Sequence, residues 1–307
     1  MTRRPPRNTP LNPFQPYGSF LEQERSALGS IVTSGTILLT NKECPWRCVM
    51  CDLWKHTLPE TVPLGAIPQQ IRFALARFET RPTQIKLYNS GSFFDSAAIP
   101  LVDYPEIARV IGFARHVIVE SHPRLIGQRA LRLRDLLSGS MEVAMGLETI
   151  HPQVFPRLNK KFDLDHFERA ARFLSVNGIA LRAFVLVNPP FITDDAEALE
   201  WTVKSAAFAF SCGASVVTLI PTREGNGAME RLREAGLFTP PRLSTLEKAL
   251  ELALNLRAGR VFADTWDLDR FSNCPGCLEG RRERLNAMNL SQAVSPPISC
   301  SACGASA

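Results

Sequence analysis

No stretch of this chain approaches the roughly 20 consecutive apolar residues that a membrane-spanning helix needs, so no membrane association is expected. The first 16 residues are basic and proline-rich and have no apolar core of a secretory signal; they read as a mobile arm. No G-x-G-x-x-G follows the first candidate strand, which argues against a dinucleotide-binding fold. No tandem repeat or low-complexity core stands out, so a solenoid is not expected. Histidine is scarce, with five in 307 residues, and His116, His122 and His151 lack the spacing of metal ligands. What the chain does have is eight cysteines. In a chain expected to be cytoplasmic, that number points to metal binding or catalysis more than to disulfides.

Short β-branched runs alternate with amphipathic stretches. Strands are expected over residues 35–41, 84–90, 116–121, 141–149, 180–188 and 215–222. Helices are expected over 66–77, 104–114, 127–137, 164–177, 194–212, 228–235 and 244–257. Six βα units in succession imply a parallel sheet with helices outside it. The fold class expected is α/β, a partial (β/α)6 TIM-like barrel; an open doubly wound sheet is the alternative. The divisions expected are an arm over 1–29, the partial barrel over 30–260 and a small cysteine-rich C-terminal module over 261–307. In a barrel, chemistry sits at the C-terminal ends of the strands. The polar residues there are Asn89, Ser90, Glu120, Glu148, Asn188, Thr222 and Arg223.

Directly after the first expected strand comes "NKECPWRCVMCDLWK", which holds Cys44, Cys48 and Cys51 in C-x3-C-x2-C spacing with no fourth cysteine nearby. A disulfide uses two cysteines and a structural zinc usually four ligands. A [4Fe–4S] cluster is normally held by four thiolates, so three leave one iron open. Such an iron can chelate the amino and carboxylate groups of S-adenosylmethionine (SAM), and an electron from the cluster can then release a 5′-deoxyadenosyl radical. A zinc site completed by an outside ligand is the plainer alternative. Cys212, beside Ala209 and Phe210, reads as a buried small hydrophobe.

At this point the sequence resembles the radical-SAM superfamily, and within it the group of the Elongator catalytic subunit. The narrowest likeness is to the radical-SAM partner of archaeosine synthase. The stretches that carry it are "CPWRCVMCDLW", "LYNSGSFFD", "VIVESHP", "MEVAMGLET", "ALRAFVLVNPPFIT" and "LIPTREG", in that order from residue 40 to about 227. The resemblance implies that Cys44, Cys48 and Cys51 ligate the cluster. It implies that the turn of Asn89, Ser90 and Gly91 meets the methionine amino group of SAM, largely through main chain, because the usual acidic residue is missing. Glu148 would bind the ribose hydroxyls, Arg182 the methionine carboxylate, and Pro221, within "LIP", would lie against adenine. Glu120 would contact substrate or cofactor. Solvated strand ends and surface ion pairs are the plain alternatives for Glu148 and Arg182.

A second pattern lies in the tail. Cys274 and Cys277 form one C-x2-C pair, Cys300 and Cys303 another, 22 residues apart. This is spacing for a four-thiolate site, and ligand type alone leaves zinc and an auxiliary [4Fe–4S] cluster both open. The second pair departs from the family pattern.

The net charge of +5 and the pI of about 8.9 mildly favour an anionic partner. The runs "TRRPPR" near the start and "EGRRER" between the cysteine pairs are candidate phosphate contacts. The resemblance, taken with this charge, implies a tRNA base as the substrate, with an external electron donor and a partner enzyme. A small metabolite or peptide substrate is the alternative. A non-catalytic iron–sulfur or zinc protein that binds RNA is the alternative of another class.

Overall fold

The structure is a computed structural model in which residues 11–303 are described. Eight strands hydrogen-bond in chain order: β1 (Gly18–Arg25), β2 (Ile31–Leu38), β3 (Gln84–Tyr88), β4 (His116–Glu120), β5 (Ser140–Glu148), β6 (Ala180–Val187), β7 (Val216–Pro221) and β8 (Arg260–Ala263). The helices are α1 (Ala66–Leu75), α2 (Tyr104–Val110), α3 (Gln128–Leu136), α4 (Leu164–Val176), α5 (Asp195–Ser211), α6 (Ala228–Glu234), α7 (Leu243–Asn255) and α8 (Pro275–Ser291). β2 to β5 pair in parallel, as do β7 and β8. The six strands β2 to β7 are the six expected from the sequence, and the fold is α/β, of the partial-barrel type. Among the described residues, no helix is long and apolar enough to cross a membrane.

The chain divides into two compact units. The first holds residues up to Glu24, Ile31–Gly146 and Asn159–Arg182. Its helices follow from periodicity and capping. In α4, Phe167, Ala170, Ala171 and Leu174 recur on one face and are buried, and Asp163 caps the first turn by accepting from the His166 N–H at 2.8 Å. Outward-facing Ile85 and Leu87 of β3 are fully buried. Gly35 pairs with Ile85, and a Cβ at Gly35 would lie 2.7 Å from the Phe78 ring and 2.9 Å from Pro82, so only glycine lets that layer close.

The opposite face of the same strands is polar. Gln84 donates to Ser34 and Glu24, and Thr36 donates to Glu22. Lys86 is ion-paired with Glu22 at 2.9 Å and with Glu24. Arg182 bridges Glu142, at 2.6 Å, and Glu24, at 2.7 Å. β1 is thus a correction to the expected arm over 1–29. Its Glu24 faces two buried cations, Lys86 and Arg182. "TRRPPR" lies outside the described residues.

The second unit holds Arg25–Ser30, Leu147–Leu158 and the chain from Ala183 onward. α5 begins with Asp194 accepting from the Glu197 N–H, a cap legible in the sequence. The tail is less separate than expected. Asn289 of α8 exchanges two hydrogen bonds with the backbone of Ala263 (2.8 and 2.9 Å), and Gln292, just past α8, does the same with Val261 (2.7 and 2.9 Å). Two side-chain amides therefore satisfy the outer edge of β8, a strand that would otherwise offer unpaired backbone groups.

Candidate active site

In the first unit, the cysteine loop leaves the C-terminal end of β2 and is closed at its base. Lys42 and Leu58 form a parallel bridge, the Leu58 N–H donates to Asn41 at 2.7 Å, and the Glu43 N–H donates to Leu58 at 2.8 Å. Its tip is clamped as well. Trp46 stacks on His122 at 3.6 Å with the rings 8° apart, and Asn159 donates to the Arg47 carbonyl at 2.7 Å. His122 is itself fixed: Nδ1 accepts from the Arg124 N–H at 3.2 Å, so Nε2–H donates to the Lys160 carbonyl at 2.8 Å. Burial pushes this imidazole down to about 3, so the stacked ring is neutral at physiological pH. Cys44, Cys48 and Cys51 stand outside any disulfide and are partly exposed on this braced loop. Burial pushes the thiols of Cys44 and Cys51 up to about 12, so they need a cationic centre to ionise near neutrality.

The turn after β3 is packed directly on that loop. A Cβ at Gly91 would lie 3.3 Å from the Cys44 Cβ, so the glycine lets the two segments touch. Ser90 holds a left-handed backbone with φ of 55°, uncommon outside glycine. Its hydroxyl meets the Tyr17 hydroxyl at 2.9 Å, and the Tyr17 ring stacks on His56 at 4.7 Å. Glu120, at the end of β4, accepts from the Asn89 N–H and, at 3.4 Å, from the Gly91 N–H. Burial raises its carboxyl to about 7 against these hydrogen bonds. The acid missing from the turn is thus supplied by the neighbouring strand, where it holds the turn's backbone. Glu120→Ala is expected to cost about 1–3 kcal/mol in urea denaturation, because it strands buried donors. Glu120→Gln, which keeps an acceptor oxygen, should cost less; equal losses in the two variants would contradict this role.

Asn89 is fully buried, and neither atom of its side-chain amide has a hydrogen-bond partner among the described residues. Thr40 Oγ1 and Asn41 Oδ1, at the foot of the cysteine loop, are orphaned in the same way. Buried polar atoms are rarely left so, and here three residues at two adjoining strand ends share the feature.

In the second unit, Glu148 ends β5 with φ of 70° and is 9% exposed. Asn188 follows β6 with φ of 50°; its Nδ2 donates to Asp195 at 3.2 Å, while its Oδ1 is buried without a partner. Non-glycine residues held left-handed at strand ends cost of order 1–3 kcal/mol each and cluster at functional sites. Pro221 ends β7, and the next residue, Thr222, donates its N–H and hydroxyl to the Val187 carbonyl at 3.1 and 3.0 Å. Arg223 is ion-paired with Asp264 at 2.8 Å.

Two expectations change. Arg182 is the third residue of β6, toward its N-terminal end, with its guanidinium held by Glu142 and Glu24; it belongs to the buried ion network and not to the rim. The arginines of "EGRRER" face their own unit. Arg281 is bonded to Glu247, Arg284 to Glu251 at 2.7 Å and to the carbonyls of Ser295 and Pro296, and Arg282 to Glu279 at 3.3 Å. Arg281 and Arg284 pack that face of α8 on α7, and Arg282 is paired within α8 itself. The four tail cysteines do converge, with all four sulfurs within 4.8 Å of one another.

No family model matches the chain. An uncharacterized protein of Methanocaldococcus jannaschii, MJ0550, is 25% identical over 287 residues, covering 86% of this chain and 78% of that one. Among solved structures, the archaeal Methanocaldococcus infernus Elp3 with an N-terminal deletion superposes with a TM-score of 0.51 at 13% identity, over 68% of this chain and 53% of that one. The likeness to Elp3 is one of fold. The radical S-adenosylmethionine methyltransferase TsrM from Kitasatospora setae is similar at a TM-score of 0.49 and 18% identity, over 68% of this chain. The chain spans 40% of TsrM and about half of Elp3, at 53%. Within this fold, the three cysteines occupy the loop at the C-terminal end of β2, a strand parallel to β3, next to the glycine turn.

Proposed function

We propose that the chain is a radical-SAM enzyme in which Cys44, Cys48 and Cys51 hold a [4Fe–4S] cluster and leave one iron for SAM. The observation that carries this reading is the braced three-cysteine loop packed against the Gly91 turn, with the unpartnered Asn89 amide beside it. The donor set fits: three soft thiols for iron, and orphaned amide and hydroxyl groups for the polar end of an amino acid. With an external electron donor, the bound cluster and SAM would supply a 5′-deoxyadenosyl radical for hydrogen abstraction. The chain's own residues do the positioning. The Trp46–His122 stack and the Asn159 hydrogen bond fix the loop, and Glu120 fixes the backbone of Asn89 to Gly91. Following the family resemblance, Glu148 would accept from the ribose hydroxyls and Pro221 would lie against adenine.

For the substrate we propose a base in tRNA, with a partner enzyme, in the cytoplasm. The likeness to the radical-SAM partner of archaeosine synthase and the net charge of +5 support it; the "EGRRER" arginines do not, since they are ion-paired within the fold. A small metabolite or peptide is the second substrate class.

The test is anaerobic reconstitution with iron and sulfide, reduction by dithionite, and chromatography of the products of SAM. 5′-Deoxyadenosine is expected, and its absence with an intact cluster would overturn the enzyme assignment in favour of a non-catalytic metalloprotein. Nucleoside analysis of tRNA from a deletion strain then tests the substrate: an unchanged profile moves it to the small-molecule or peptide class.

A further inference from the structure

The geometry of the tail cysteines points to a single tetrahedral zinc ion bound by Cys274, Cys277, Cys300 and Cys303, with the positive charge of Arg281, on the same helix, to offset that of the site. This assignment is independent of the radical-SAM reading. Both a zinc ion and an auxiliary cluster take four thiolates, so ligand type does not separate them, but sulfur spacing does. Four sulfurs bonded to one zinc at about 2.3 Å stand at the corners of a tetrahedron with edges of about 3.8 Å. Here the sulfurs of Cys274 and Cys300 are 3.8 Å apart, as are those of Cys277 and Cys303, and all four lie within 4.8 Å of one another. In a [4Fe–4S] cluster each thiolate binds a different iron and points away from the cube, so the four sulfurs must stand well outside such a group. A disulfide would require about 2.05 Å and would leave no reason for all four to meet.

The surroundings hold this arrangement in place. Cys274 is the residue before α8, with Pro275 at the first helical position, so the first pair of thiols is fixed by the start of a helix. The returning chain is tied alongside α8 by Arg284, which donates to the Ser295 carbonyl at 2.6 Å and to the Pro296 carbonyl at 2.8 Å. Cys274 and Cys277 are buried and Cys303 is exposed, which leaves a path for the ion. Four thiolates and one Zn2+ leave a charge of −2. Arg281, one turn after Cys277 on α8, places its positive charge beside the Cys277 thiol and donates to Glu247 of α7 at 3.0 Å. It therefore couples the metal site to the neighbouring helix, the part that outer donors play at thiolate centres. The consequence reaches β8. The ion would hold the first turn of α8, while Asn289 and Gln292, at its far end, cover the strand's edge.

The experiment uses the full chain with Cys44, Cys48 and Cys51 all replaced by Ala, so that any metal found belongs to the tail. Elemental analysis should give one zinc per chain and no iron, and cobalt substitution should give the visible bands of tetrahedral thiolate cobalt. Adding Cys300→Ala and Cys303→Ala should remove the zinc. Arg281→Met should keep the site but weaken zinc affinity about 10–100-fold in competition with a chelator. Iron with sulfide absorbance in the triple variant would overturn the proposal in favour of an auxiliary cluster. Disulfide-linked peptides, or four free thiols without metal, would overturn it as well. None of these outcomes depends on whether the wild-type chain cleaves SAM.

Discussion

Cys48→Ala protein, reconstituted anaerobically, is expected to lose about four irons per chain and to form no detectable 5′-deoxyadenosine. Three thiolates are the fewest that can seat a [4Fe–4S] cluster and still leave an iron open, so the chain has no spare ligand on this loop. The loss should not reflect a collapsed fold. The loop's base is closed by Lys42, Glu43 and Leu58, and its tip by Trp46 on His122 and Asn159 on Arg47, none of which uses the Cys48 sulfur. Urea denaturation of the apo variant should therefore match the apo wild type within about 0.5 kcal/mol. Tail zinc, if the proposal above holds, stays at one per chain and serves as an internal control. Retained 5′-deoxyadenosine formation in Cys48→Ala would sink the ligand assignment. A large drop in apo stability would mean instead that the thiol packs the loop.

Much of the scaffold was legible because its signals are local. The expected strand over 116–121 is His116–Glu120, and the expected helix over 164–177 is Leu164–Val176. Periodicity, an Asp cap and a trailing glycine suffice for elements like α4. What escaped the sequence needed a partner from far along the chain. β1, absent from the expected strands, carries Glu22 and Glu24, whose partners Lys86 and Arg182 lie far along the chain. β8 has four residues, too few for an alternation to register. α8 hides a helix start inside a C-x2-C pair, and its arginines look like a charge run unless Glu247 and Glu251 are known to lie opposite. The cysteine loop was legible from spacing alone. Its brace was not: Trp46, His122 and Asn159 meet only after three loops have folded together. The unpartnered Asn89 amide is likewise a property of the packed chain, although its place at a strand's end before glycine gave a hint.

Arg182→Met should destabilise the protein by about 3–5 kcal/mol at pH 7, the largest effect expected of a residue outside the candidate active site. Arg182 and Glu142 are 2% and 0% exposed, and Glu24 is 5% exposed. Burial by itself would raise both carboxyls. Arg182 outweighs it, holding Glu142 down to about 2, with help from His116, and holding Glu24 below the carboxylate range together with Lys86. Removing the guanidinium leaves Glu142 ionised and buried, with His116 at 3.5 Å. The sign with pH follows from the depressed values. The network's contribution is fully present above the ordinary carboxylate value of 4.5 and is lost as pH falls toward 2. In the variant, Glu142 takes up its proton at higher pH and escapes the penalty. The gap between wild type and Arg182→Met in urea denaturation should therefore be widest near pH 7 and close progressively below about pH 4.5. A gap of the same size at pH 7 and pH 3 would assign the loss to packing. No gap at all would remove Arg182 from the network and return it to the pool of ligand-binding candidates. A double-mutant cycle with Glu142→Leu isolates the pair: the second substitution should recover much of the loss, because the uncompensated buried charge is then gone.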